Sequence, residues 1–172
     1  MSINRLVLEQ DGLVVGSNQL NCSGGGVYMG TNLVVQGLVY GTATAARYAD
    51  LAEVYIADKY YDPGTVVVFG GEYEITTTNT SHDTRVAGVI SENPAYIMNA
   101  EVEGLFVALT GRVPCQVRGP VRKGQLLVSS NTAGVAEAMS DSLYRPGCVI
   151  GKSLEEIEDN SVRTVEVAVG RF

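Results

Sequence analysis

Tryptophan is absent from the 172 residues, histidine occurs once, and charged residues make up only 18% of the chain. Helix-rich composition is missing as well. Twenty glycines stand beside 45% hydrophobic residues, a profile of short strands and frequent turns. Basic residues are scarce: 12 Lys and Arg against 19 Asp and Glu leave a net charge of −7, which argues against binding a phosphate backbone. The nearest basic cluster, Arg112, Arg118, Arg122 and Lys123, is spread through Gly and Pro turns without interleaved aromatics, and reads as solvated strand ends. No apolar stretch reaches the length of a membrane-spanning helix, and no basic start followed by an apolar run precedes Gly12. The expectation is a chain made in a cytoplasm that stays in solution without membrane insertion. Cys22, Cys115 and Cys148 are odd in number and widely separated, so neither a metal pair nor a complete disulfide framework is implied, and buried free thiols are expected.

What is present falls into three stretches. From Ser2 to Gly41, apolar runs of three residues alternate with Gly and Asn punctuation, each too short for a helix. The unit Gly-Leu-Val-x-Gly stands at Gly12–Gly16 and again at Gly37–Gly41, an offset of 25 residues that gives a weak repeat. Strands this short do not bury a core alone. The reading is therefore an intertwined β-shaft over residues 1–47 that also carries the attachment segment. Leu6, Leu8, Leu13, Val15, Leu33 and Val35 would lie on an interior shared between chains. The competing reading extends the sheet of the following domain with the same strands.

Residues 48–61 overlap the Ala-rich passage Thr42–Tyr55, with Ala43, Ala45, Ala46, Ala49 and Ala52, in which a single helical turn or a tight close-packed passage is expected because Ala has the highest helix propensity. They are assigned as a junction in which small side chains let chains approach an axis, with Tyr48, Leu51 and Tyr55 anchoring the crossing. Residues 62–172 carry eight expected strands, Thr65–Phe69, Tyr73–Thr77, Val86–Ser91, Leu105–Thr110, Arg112–Val117, Gln125–Ser129, Cys148–Lys152 and Thr164–Val169. That spacing predicts a β-sandwich or barrel-like head. Asp62-Pro63-Gly64, Arg122-Lys123-Gly124 and Arg145-Pro146-Gly147 each precede an apolar strand and supply turn chemistry. The polar stretch ending at Asp83 is expected to finish in an exposed loop, Pro94–Asn99 to interrupt the strands, and acidic Leu154–Asn160 to take one helical turn.

Tyr48-Ala-Asp-Leu-Ala-Glu-Val-Tyr55, Asp62-Pro-Gly-Thr-Val-Val-Val-Phe-Gly-Gly71, Arg85-Val-Ala-Gly-Val-Ile-Ser91, Asn93-Pro-Ala-Tyr-Ile-Met-Asn99, Gly111-Arg-Val-Pro114, Gly119-Pro-Val-Arg-Lys-Gly124 and Val165-Glu-Val-Ala-Val-Gly-Arg171 together span about 120 residues. Over them the chain resembles the C-terminal part of tail-fibre structural proteins of tailed phages, cyanophages included. It is also similar to the peptidase G2 group of fibre-associated β-domains. The first likeness implies a virion protein, a homotrimer in a tail fibre or spike, held by other tail or baseplate proteins and facing a host-surface receptor or glycan. The second implies a trimeric β-domain that releases itself through an acid and serine pair, although no cleavage site or nucleophile matches residue by residue.

Read for chemistry, the single histidine lies in Asn79-Thr-Ser-His-Asp83. Consecutive residues are not expected to align as a Ser-His-Asp relay, so His82 is read as an exposed loop residue. Ser129, Ser130 and Asp141 are the first choice for a hidden serine and acid pair. Glu155, Glu156, Glu158 and Asp159 lack the order of a calcium loop and read as a solvated acidic turn. Gly24-Gly25-Gly26 lacks the Lys and the following helix of a phosphate cradle. No catalytic, cofactor or metal residues are assigned. A carbohydrate-binding module would rest on Tyr60, Tyr61, Tyr73 and Tyr96, since aromatics make up only 7% of the chain.

Overall fold

The chain divides into two compact units, residues 1–42 and 43–172. The computed structural model describes residues 49–170, all within the second. Leu6, Leu8, Leu13, Val15, Leu33, Val35 and Tyr48 of the expected assembly surface, and Cys22, lie outside the described residues. In chain order the strands are β1 (Asp50–Tyr55), β2 (Val66–Phe69), β3 (Ile75–Thr76), β4 (Val86–Ile90), β5 (Tyr96–Met98), β6 (Leu105–Arg118), β7 (Leu126–Ser129), β8 (Ala136–Ala138), β9 (Val149–Ser153) and β10 (Val162–Val169). Among the described residues the only helical element is a 3-10 turn at Asp141–Leu143. The described chain is all-β, as the strand and turn pattern predicts.

Strand β6 organises the rest. Its C-terminal half pairs antiparallel with β10 from Arg118 to Gly111, and Val117 and Arg118 pair in parallel with β8. Since β8 pairs with β7, β7 with β9 and β9 with β10, five strands close a ring. Period-two alternation fills it: Val113, Cys115 and Val117 from β6 meet Val165, Val167 and Val169 from β10, with Leu127, Ala136 and Ile150 from the other three strands. Closure removes the unpaired edges that an open sheet of such apolar strands would present. The N-terminal half of β6 joins a second layer, bonded to β1 and to β4, with β2 and β3 beyond β4 and β5 beside β1. A smaller core of Tyr61, Val67, Ile75, Ile90 and Val107 lies there.

Three of the expected turns form as i to i+3 turns, the N–H of Thr65, Gln125 and Cys148 donating to the carbonyls of Asp62, Arg122 and Arg145 at 3.2, 3.0 and 3.2 Å. In each, glycine holds the positive φ of the third position. Cys115 and Cys148 are buried free thiols.

The structure differs from the sequence reading at several elements. Leu105–Thr110 and Arg112–Val117 form one continuous strand, because Gly111 (φ +113) bends the chain under the start of β1 without reversing it. Asp50–Tyr55 is a strand, not a helical turn: Asp50, Ala52 and Val54 face the interior while Leu51, Glu53 and Tyr55 are half-buried, a period of two that overrides the propensity of alanine. Pro94–Asn99 contains β5, and Ala136–Ala138 adds β8, each only three residues long. Leu154–Asn160 takes no helical turn. Ile157 is instead buried in a two-way backbone bridge to Val121, N to O at 2.9 Å in both directions, while Glu155, Glu156, Glu158 and Asp159 stay exposed.

Candidate functional site

Between β3 and β4 the polar segment Thr77–Arg85 folds inward against the β7–β8 hairpin. Thr78, His82 and Asp83 are buried, contrary to the exposed loop expected there. Burial of so polar a loop requires that its groups find partners, and they do. His82 N–H donates to Ser129 O at 3.0 Å, Asp83 N–H to Ser129 Oγ at 2.9 Å, and Ser129 Oγ–H to Thr80 O at 3.0 Å. Asp83 accepts four bonds: Arg85 Nε at 3.0 Å, Arg85 Nη2 at 2.7 Å, Arg85 N–H at 3.0 Å and Thr78 Oγ1 at 2.8 Å. The bidentate Arg85 contact, opposed by burial and helped by the amide and hydroxyl, holds the Asp83 carboxyl down at about 2.

His82 adopts the left-handed region (φ 58), and this conformation brings its ring back to the preceding residue: Ser81 Oγ and His82 Nδ1 stand 2.8 Å apart. Adjacent residues therefore do touch, contrary to the expectation from spacing. The polarity of the contact follows from its ends. Ser140 N–H, which only donates, points at Nε2 at 3.1 Å, so Nε2 is the acceptor and Nδ1 carries the hydrogen of a neutral ring. Nδ1–H then donates to Ser81 Oγ, whose own hydrogen goes to Glu137 Oε1 at 2.5 Å. A serine activated by histidine needs the reverse, its hydroxyl donating to an unprotonated ring nitrogen. The relay Ser140–His82–Ser81–Glu137 consequently braces the loop to β8 and to the segment after it, and gives Ser81 no imidazole base.

Beside the relay is a cavity of about 420 Å³, with Ser81, Thr84, Arg85, Leu143 and Arg145 in its wall. Ser129 and Ser130 are fully buried. Ser129 is committed to the bonds above and Ser130 Oγ–H donates to Thr132 O at 3.1 Å, whereas Asp141 is exposed in the 3-10 turn. No hydrogen bond among the described residues joins either serine to Asp141.

Leu51 and Tyr55, the two expected anchors within the described residues, share the half-buried face of β1. The Tyr55 hydroxyl donates to Glu53 Oε2 at 2.7 Å and its ring meets Phe69 edge-on at 5.4 Å; burial first, then Glu53, push its pKa up to about 12. Tyr61 is buried, its hydroxyl donating to Asp58 Oδ1 at 2.6 Å, and so drops out of the exposed aromatic set, while Tyr60, Tyr73 and Tyr96 remain exposed. Glu137 went unrecognised in the sequence because it lies 56 residues from Ser81 in a three-residue strand. Asp83 and Arg85 carried a local signal, an acid and a base two residues apart at the entry to an apolar strand.

No protein-family model matches the chain, and no curated protein matches it. Among the described residues no group of His, Cys, Asp and Glu side chains could hold a metal ion, and no helix is long and apolar enough to cross a membrane.

Proposed function

We propose that the chain is a structural virion protein, a homotrimeric component of a phage tail fibre or spike that presents loops to a host surface. The observation that carries the reading is the contrast between its two parts. The barrel completes its core from its own strands, Val113 to Val169, whereas residues 2–41 consist of apolar runs too short to bury a core alone. Copies of the same chain would supply the missing cover, with Leu6, Leu8, Leu13, Val15, Leu33, Val35 and Tyr48 on the shared interior, and Leu51 and Tyr55 at the crossing. The resemblance to tail-fibre proteins across about 120 residues supports the same assignment.

The hydrogen-bond polarity at Ser81, whose hydroxyl donates to Glu137 and not to His82, favours a scaffold role for His82 over that of a base activating the serine. The test is the assembly state. Sedimentation of the full chain is expected to give a trimer at micromolar concentration, dispersed by Leu13→Asp or Val35→Asp because each would place an unpaired charge on the shared interior. A folded monomer refutes the proposal, and two fragments summing to the translated mass would establish the self-cleaving alternative.

A further inference from the structure

Residues 140–147 form an exposed flap at the cavity beside the relay, with Leu143 and Arg145 in the cavity wall. The chain is anchored on both sides of this flap. Met139 N–H donates to Leu126 O of β7 at 2.8 Å, and Cys148 is fully buried. Within the flap the bonds are local: Leu143 N–H donates to Ser140 O at 3.0 Å, Tyr144 N–H to Asp141 O at 3.4 Å, and the hydroxyls of Ser140 and Ser142 meet at 3.1 Å. Among the described residues, the hydrogen bond that reaches from the flap to the loop of residues 77–85 is the one given by Ser140 N–H to His82 Nε2 at 3.1 Å. A flap tied across by one bond is held or released by the state of the acceptor.

That acceptor takes protons. His82 is the single histidine of the chain, and imidazole is the side chain whose charge changes between about pH 5 and 8. In the neutral ring Nδ1 carries the hydrogen, so a second proton has only Nε2 to go to, where it would face the Ser140 N–H, donor against donor. His82 is 7% exposed, so the new N–H finds no water while the flap is closed, and a charged donor left unpaired inside the fold is costly. The exposed flap is the side that yields. We propose that His82 is an acid-released latch: its neutral ring holds residues 140–147 closed against the cavity, and protonation of Nε2 frees them. The other charged groups around the ring leave this role to His82. Glu137 of β8 is reached through Ser81 on the Nδ1 side, where it supplies a counter-charge to the protonated ring without accepting from Nε2. Asp83 is saturated by Arg85 and Thr78 and, held at about 2, stays ionised throughout this range. Arg85 and Arg145 in the cavity wall keep their charge, and no hydrogen bond among the described residues joins Asp141 of the flap to the ring. The latch lies within the second unit and does not depend on the assembly reading, which sedimentation decides separately.

The test uses the full chain at pH 7.5 and pH 5, with ring-nitrogen NMR of the single histidine and residue-resolved hydrogen exchange, exchange times being scaled to the intrinsic rates. At pH 7.5 the ring is expected as the Nδ1–H tautomer. At pH 5 it should carry both protons, and the amides of Ser140, Leu143 and Tyr144 should exchange about tenfold faster, the order expected for the loss of one net hydrogen bond, while those of β6 and β10 stay as they were. His82→Asn does not titrate and places at φ 58 a residue type that tolerates it, so its flap should exchange alike at the two pH values. Glu137→Gln removes the other titratable group of the relay and should keep the response of the parent. A ring still neutral at pH 5 overturns the proposal, as does a ring that protonates without any change in flap exchange. Faster exchange shared by β6 and β10 would be a loosening of the whole unit and overturns it equally. So does a response that survives in His82→Asn or disappears in Glu137→Gln. Should His82→Asn fail to fold, the ring titration of the parent and the exchange of Glu137→Gln decide.

Discussion

Replacing Asp83 by Asn should destabilise the second unit by about 2 kcal/mol at neutral pH, and the penalty should fade in acid. The carboxyl of Asp83 is held at about 2 in the folded chain against an ordinary value of 3.8, chiefly by the bidentate Arg85. At about 1.4 kcal/mol per pH unit, that depression corresponds to about 2 kcal/mol of stability. Because the folded value lies below the unfolded one, the contribution is present in full above 3.8 and is lost as pH falls toward about 2. By pH ~3 about half of it should remain. Arg85 is 55% exposed, so the variant leaves it solvated and adds little further cost. Urea unfolding of parent and variant at pH 7 and pH 3 measures the difference directly. A difference that does not shrink between the two, or a variant as stable as the parent at pH 7, would show that the Asp83 carboxylate is not stabilised as the geometry requires.

Two further outcomes follow from the same structure. Gly111→Ala should cost more than about 2 kcal/mol, because its Cβ would lie 2.2 Å from Ala49 O at φ +113, whereas Gly124→Ala, with open space around a φ of +83, should cost about 1 kcal/mol; thermal melts that rank them otherwise contradict the role given to Gly111. Burial pushes the Cys115 thiol up to about 12, so iodoacetamide at pH 8 should leave it unmodified in the native chain and alkylate it after denaturation, with mass spectrometry of the peptide as the readout.

The fold was legible where local chemistry and burial point the same way. Asp62-Pro63-Gly64 and the two turns like it announce themselves, and so do the one-sided apolar patterns of β10 and of the C-terminal half of β6. It was illegible where long-range contact overrides composition: Ala52, at the end of an Ala-rich run that favours a helix, lies in β1 because β6 offers a ladder, and Gly111 reads as a turn until the strand beneath which it bends is known. The polar loop failed for the same reason. Nothing near His82 in sequence reveals that Ser129, Glu137 and Ser140 will meet it, and without those partners an exposed loop is the cheaper conformation.

The most consequential correction concerns residues 50–55, and it changes where the second unit can be cut. Cα partners run from Asp50 opposite Gly111 to Tyr55 opposite Leu105, and Ala52 and Val54 are buried beneath this ladder. Both ends of the strand are received by glycines: a Cβ on Gly104 would lie 2.4 Å from Tyr55 O, and one on Gly111 would lie 2.2 Å from Ala49 O. The far side of β1 carries β5, which among the described residues pairs with no other strand. A fragment beginning at Asp62 would therefore lose two strands, not a junction. At about 1 kcal/mol net per lost ladder hydrogen bond and about 2 for uncovering Val54, the deletion removes about 5 kcal/mol or more, comparable to the whole stability of an ordinary domain. A fragment of residues 43–172 is expected to melt cooperatively with β-type circular dichroism, and one of residues 62–172 to show no cooperative transition. Equal melts for the two would mean that β1 adds nothing to the core it covers, and the ladder with β6 would then be an ornament of the fold instead of a condition of it.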